Sequence, residues 1–259
     1  MTTTQSWTEE FVDVGGTKTQ VLKGGSGPPL LLLHGARGNH RWMDYHDALA
    51  KHYTVYASSH PGYDKTPRPP WVSTINDVAH FYVGFMRSAG LEDAVLMGFS
   101  MGGWIAAELA AMDSHRIKAL VLVNAVGIRP QVGEIAETLM VSPEQTQELI
   151  YHDHSKAPEA PYLSPEEDVQ WRNREMASRL CWKPYMHNPV LPEYLKLVEV
   201  PSLIVWGRQD GIVPLNAGEI YHQSLKGSTL RIIEECGHSP QFEKPQEFLD
   251  ATLEFLSKL

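Results

Sequence analysis

In this chain of 259 residues, a serine, an aspartate and a histidine each fall just beyond an apolar run, where a sheet would deliver them to one edge. Ser100 lies in Gly98-Phe99-Ser100-Met101-Gly102. Before it, Leu91 to Met97 reads as a buried strand; after it, Gly103 to Ala111 reads as a helix with small residues on its packing face. A side chain at such a strand-to-helix elbow is forced into an unfavourable backbone conformation. The residues two before and two after it must be nearly free of side chain if strand and helix are to approach. Gly98 and Gly102 meet that demand. The turn presents the serine Oγ at the carboxyl edge of the sheet and aims the Met101 N–H at the same point. A chance Gly-x-Ser-x-Gly could occur in a chain this long, but the strand and helix around it argue against chance.

The other groups follow in order. Pro29 to Leu33 is a short apolar run ending in His34-Gly35, the pattern of a strand buried on both faces. The loop Gly35-Ala36-Arg37-Gly38 can turn a backbone N–H inward, and Ala36 is assigned as the second oxyanion donor beside Met101. Ser202 to Gly207 reads as another buried strand, and Asp210 in the loop after it is placed to be the acid of a triad. Thr229 to Ile233 reads as the last strand, followed by His238 in Cys236-Gly237-His238-Ser239-Pro240. The chemistry these types allow is acyl transfer. A serine hydroxyl is a poor nucleophile at neutral pH, so an imidazole must take its proton, and a carboxylate must fix the imidazole's tautomer and stabilise its charged form.

The His-Gly loop, Gly-Phe-Ser-Met-Gly-Gly, Trp-Gly-Arg-Gln-Asp and Gly-His-Ser-Pro-Gln-Phe-Glu-Lys-Pro resemble the α/β-hydrolase superfamily in order and spacing, over nearly the whole chain. The resemblance implies Ser100 as nucleophile, Asp210 as acid and His238 as base. It also implies an α/β fold with a mostly parallel eight-stranded sheet flanked by helices and a helical lid inserted in the core. One loop departs from the family: Ser59 and Asp64 stand where Asp-x-x-Gly-x-Gly would place its first Asp and second Gly, a change expected to affect local loop geometry only.

Competing assignments are weaker. Of 12 histidines, His34 is expected to hydrogen-bond within the oxyanion loop, and His60, His115 and His222 to sit in exposed turns or helices. His152 and His154 lack a third ligand at metal-binding spacing, so no metal is expected. Glu234 and Glu235 are too close to His238 in sequence to fold back onto its ring, Asp113 ends the elbow helix in a solvated position, and Asn124 is an amide where the fold sometimes carries its acid. Asp210 is left.

Length suits one domain with an insertion. A net charge of −9 with no basic cluster excludes nucleic acid. Two separated cysteines, Cys181 and Cys236, read as free thiols. The first ten residues carry no leader pattern and no stretch is long and apolar enough for a bilayer, so a cytoplasmic protein without cofactor or membrane partner is expected. Monomer and homodimer both stay open.

Phe11 to Val14 and Thr17 to Leu22 flank Gly15-Gly16 as an opening hairpin, a helix near Met43 to Lys51 leads to a strand at Thr54 to Ala57, and Thr74 to Ala89 is an amphipathic helix capped by Ser73 or Thr74. A strand follows at Ala119 to Val123. Residues 1–127 and 193–259 are read as core and 128–192 as lid, where Pro130, Pro143, Pro158, Pro161, Pro165, Pro184 and Pro189 break the rhythm into short helices. The lid is rich in aromatics and methionine, and Trp171, Trp182 and Met186, with Arg37 from the oxyanion loop, are expected to line a mainly apolar pocket. The expected substrate is a small apolar or aromatic carboxylic ester. Cleavage of a carbon–carbon bond in a diketone is the alternative, for which Arg172, Arg174 and Arg179 are available in the lid, and a non-catalytic small-ligand receptor is the third reading.

Overall fold

A computed structural model describes residues 6–157 and 166–259, so the expected helix breakers Pro158, Pro161 and Pro165 lie outside the described residues, as does the start of the N-terminal segment. Eight strands form one sheet: β1 (Trp7–Val14), β2 (Thr17–Gly24), β3 (Pro29–Leu33), β4 (Thr54–Ser58), β5 (Ala94–Phe99), β6 (Ile117–Val123), β7 (Ser202–Gly207) and β8 (Thr229–Ile233). Their spatial order is β1-β2-β4-β3-β5-β6-β7-β8. β2 is antiparallel to both its neighbours and every later pairing is parallel. The hairpin turns on Gly15 and Gly16, both at positive φ (57° and 85°), as a tight two-residue turn requires.

The central strands are buried on both faces because helices cover both. Leu31 and Leu33 of β3 enter one hydrophobic cluster, while Leu30 and Leu32 enter the other. The helices are α1 (Asp44–Ala50), α2 (Ile75–Ser88), α3 (Met101–Met112), α4 (Pro143–Ile150), α5 (Glu167–Cys181), α6 (Leu191–Leu195), α7 (Leu215–Ser224), α8 (Pro240–Glu243) and α9 (Pro245–Leu256). α2 starts on Thr74, whose hydroxyl accepts the Asp77 N–H while Asp77 accepts the Thr74 N–H, a reciprocal cap.

β5 begins later and ends later than the apolar run suggests. Leu91 is a buried anchor whose N–H goes to Met86, and Asp93 turns at φ 47°, so the strand starts at Ala94 and runs through Gly98 to the serine. Between β6 and β7 the chain leaves the sheet, and its described part holds α4, a short 3₁₀ turn at His154–Lys156, α5 and α6. α6 spans the expected core boundary at residue 192 and packs on α3 and α7.

Candidate active site

Ser100 joins β5 to α3 at φ 52° and ψ −115°, a conformation that L side chains adopt only when the surroundings impose it. The surroundings do so by proximity. A Cβ on Gly98 would lie 2.2 Å from the Gly102 carbonyl oxygen, and one on Gly102 would lie 2.1 Å from that of Leu33. Met101 is the first residue of α3, so its N–H has no partner within the helix and stays available to an anion.

Asp210 is fully buried at its side chain and accepts four donors. Oδ1 takes the N–H groups of Ile212 (2.8 Å) and Val213 (3.0 Å). Oδ2 takes the Asn124 amide (2.6 Å) and His238 Nδ1 (2.8 Å). Because the carboxylate only accepts, the His238 proton is assigned to Nδ1, which leaves Nε2 able to accept one. Asn124, itself at φ 43°, also accepts the Gly207 N–H through Oδ1 (3.3 Å). Its amide, which excludes it as the acid, holds the acid in place. Glu234 instead pairs with Arg208 (2.6 Å) and Glu235 with Lys244 (3.8 Å), both on the surface.

The loop carrying His238 is fixed from two sides. Its N–H donates to the Ile150 carbonyl at the end of α4 (2.6 Å). The buried carboxylate of Glu243 accepts the Gly237 N–H (2.7 Å) through one oxygen and the Asp153 N–H (2.6 Å) through the other.

On the opposite side, His34 Nδ1 lies 2.6 Å from the Gly35 oxygen, and His34 Nε2 accepts the His60 N–H (3.0 Å). Since Nε2 accepts, Nδ1 carries the proton and donates. The Gly35 carbonyl and the Ala36 N–H belong to one planar trans peptide, so anchoring the oxygen sets the direction of the N–H. His60 departs from expectation. It is fully buried, its ring tilted 32° against that of His34 with centroids 3.7 Å apart, with Nδ1 accepting the Tyr82 hydroxyl at 2.6 Å and Nε2 donating to the His34 carbonyl at 2.9 Å. Burial holds the pKa of both rings below the usual histidine range. His115 and His222 are both exposed, as expected, His222 on α7 with its Nδ1 2.9 Å from the Ser228 hydroxyl.

A cavity of about 110 Å³ is lined by Ser100, His238, Ala36, Met101, Arg37 and Met186 among others. It continues into a second cavity of about 340 Å³ beneath α5, with Ala36, Arg37, Thr138 and Thr146 shared by both. Trp171 lines the second cavity although it is 62% exposed. Trp182 is a correction: it caps the end of α5 outside both cavities, 52% exposed, with its ring edge-on to Tyr185. Tyr151, Met176 and Leu180 pack into the core cluster. Among the described residues no three His, Cys, Asp or Glu are grouped to hold a metal ion, and no helix is long and apolar enough to cross a membrane. Cys181 and Cys236 are buried and unpaired, and burial pushes the Cys181 thiol up to about 12.

A mostly parallel sheet with a strained serine at its carboxyl edge after β5, an aspartate after β7 and a histidine after β8 defines an α/β hydrolase. The chain belongs to the alpha/beta hydrolase family, whose model matches residues 30–251. It is 28% identical to a 2-hydroxy-6-oxo-6-(2'-aminophenyl)hexa-2,4-dienoic acid hydrolase of Metapseudomonas resinovorans, over 98% of this chain and 92% of that one. Among solved structures it is similar to a serine hydrolase involved in carbazole degradation, at TM-score 0.83 and 26% identity over 98% and 100% of the two chains. It is also similar to a bacterial membrane phospholipase A, at TM-score 0.84 and 25% identity over 98% and 86%.

Proposed function

We propose that the chain is a serine hydrolase of small carboxylic esters, with residues 128–192 as a lid over the site. The observation that carries this is the meeting of Ser100, His238, Ala36 and Met101 in one cavity, with Asp210 bonded behind the histidine. Ser100 attacks the carbonyl carbon as His238 Nε2 takes its proton. The Met101 and Ala36 N–H groups hold the oxyanion, and Asp210 stabilises the imidazolium. The imidazolium then protonates the leaving alcohol, and water enters by the same route to release the acid. The second cavity takes the larger, apolar or aromatic part of the substrate under the lid, with Arg37 at the junction. No cofactor is needed for these steps, and two buried, unpaired thiols suit a reducing compartment such as the cytoplasm.

Carbon–carbon bond hydrolysis of a ring-cleavage product is the second reading, favoured by the similarity to the dienoic acid hydrolase. Against it stands the use of the lid arginines. Arg172 donates to the Asp64 carbonyl (2.7 Å), Arg174 to those of Leu139 and Val141 (3.0 and 2.7 Å), and Arg179 pairs with Glu175 on the surface. These contacts engage all three with the protein itself.

The test is a panel of p-nitrophenyl esters and one aryl 2-hydroxy-6-oxohexadienoate, assayed with the wild type and Ser100→Ala. Ester turnover should fall by about six decades in the variant while the fold is kept. Turnover of the dienoate with none of any ester would select the second reading, and retention of activity by Ser100→Ala would reject the nucleophile.

A further inference from the structure

The loop that carries the Ala36 donor is held at its start by His34 on the Gly35 carbonyl, and its second half is held by a joint with the lid. Asp64 is buried and sits at φ 48°, a left-handed conformation that favours glycine. Its Oδ2 accepts the Asn39 N–H (2.7 Å) and the Ser59 hydroxyl (3.0 Å), and its Oδ1 accepts the Asn173 amide of α5 (3.0 Å). Asn173, also buried, answers by accepting the Asp64 N–H (3.1 Å), and its amide reaches the Arg37 carbonyl as well (3.2 Å). Gly38 makes room: a Cβ there would lie 2.4 Å from Asn173 Nδ2 and 2.7 Å from Asp64 Oδ1. Lys65, the nearest cation in sequence, turns away to Glu9 (2.7 Å). The donors on this carboxylate are neutral, the Arg172 guanidinium of α5 reaching the Asp64 carbonyl instead (2.7 Å), so the lid meets Asp64 through two residues. The departure at Ser59 and Asp64 thus reaches well beyond its own loop.

We propose that Asp64 and Asn173 are positioning residues that make the oxyanion hole conditional on a docked lid: α5 supplies the amide that fixes the Arg37 carbonyl, one residue beyond the Ala36 donor. With α5 displaced, the Arg37 carbonyl and Asp64 Oδ1 lose this partner together, and the loop between Gly35 and Asn39 is no longer tied in the geometry that directs the Ala36 N–H into the cavity. Substrate enclosure under the lid and completion of the anion site become one event. This rests on the serine hydrolase reading for its kinetic consequence but not for its structural one.

The test compares the wild type with Asn173→Ala, Asp64→Gly and the double variant. Three quantities are read: backbone hydrogen exchange over residues 35–40, kcat and KM on a p-nitrophenyl ester, and the thermal midpoint. Asp64→Gly relaxes the left-handed φ, so it keeps the test usable if Asn173→Ala fails to fold. Exchange in the loop should quicken at least tenfold and kcat should drop roughly 10- to 100-fold with KM within about threefold, a part of what loss of a whole oxyanion donor costs. The double variant should be no worse than the more damaging single one, because both cut the same joint. A fall in thermal midpoint with unchanged exchange and kcat, or a rise in KM alone, would reduce the joint to a structural staple and overturn the proposal. If the wild type turns over no ester, the hydrolase reading fails on its own, and the exchange data alone decide whether the joint holds the loop.

Discussion

Asp210 Oδ2 is shared between two donors, the Asn124 amide and the His238 ring, so the direction in which the carboxylate meets the imidazole depends on both. Asn124→Ala should leave the Ile212 and Val213 contacts to Oδ1 intact and cost about 10- to 100-fold in kcat/KM, the scale of one charge-assisted hydrogen bond. Asp210→Asn, which removes the charge and presents the wrong tautomer partner, should cost about four decades. Glu234→Gln, on an exposed carboxylate already bonded to Arg208, should stay within about twofold. Steady-state kinetics on one ester ranks the three; a Glu234→Gln loss equal to that of Asp210→Asn would move the acid to the strand end. The positions of Ser100, Asp210 and His238 are readable in the sequence because each must follow an apolar run directly. Asn124, His60, Asp64 and Asn173 act through contacts between residues 22 to 109 apart in the chain, which no local pattern encodes. His60 is the clearest case. Its setting among Pro and Gly suggests a solvated turn, while the Tyr82 hydroxyl and the His34 carbonyl satisfy its two nitrogens inside the protein.

At the level of elements, the elbow is a contact between backbones rather than between side chains. Gly102 of α3 lies against the Leu33 carbonyl of β3, where an added Cβ would stand at 2.1 Å with only backbone to push on. Gly102→Ala should therefore separate α3 from β3 and cost about 3 kcal/mol, the upper part of the range for overpacking. In a domain of this size that is a fall of roughly 6–12 °C in thermal midpoint. Gly90→Ala is the comparison. It follows the end of α2 and has open space around its Cβ position at φ 64°, so only the left-handed backbone penalty of about 1–2 kcal/mol applies. Equal midpoints for the two variants would contradict the close approach. Strands β3, β7 and β8 and helix α2 are legible from their apolar runs and, for α2, its cap, whereas the insertion shows as proline-broken helices without orientation. Trp182 illustrates why: its apolar character is plain in the sequence, but the inward side of α5 is set by Asn173 on Asp64 and Met176 against Gly62, contacts that local composition does not encode.

For the molecule as a whole, the acidic net charge predicts little about stability, and the buried imidazoles predict more. His46 is completely enclosed, accepts the Met43 N–H at Nδ1 (3.1 Å), packs against the rings of Trp42 and Tyr45, and has no hydrogen-bond partner at Nε2 among the described residues. Burial lowers its pKa from 6.5 to about 3, against a smaller opposing pull from Asp47. His34 and His60 are lowered by burial in the same direction. Between the unfolded value and the folded one, the unfolded chain binds protons that the folded chain refuses, so folding stability must fall as the pH drops through that window and must level off below about 3 for His46. Each such histidine contributes a slope of up to ~1.4 kcal/mol per pH unit, and His46 alone a total loss of up to ~5 kcal/mol across its window. Urea denaturation at pH 7.5, 6, 5 and 4 should show this decline beginning near pH 6.5. His46→Gln keeps an acceptor for the Met43 N–H but cannot titrate, so its stability should start lower at pH 7.5 and decline less steeply, by about one proton's share of the slope. Parallel curves for the wild type and the variant from pH 6 to 4 would show that His46 takes up its proton in the folded protein, against its burial in the cluster of Trp42 and Tyr45.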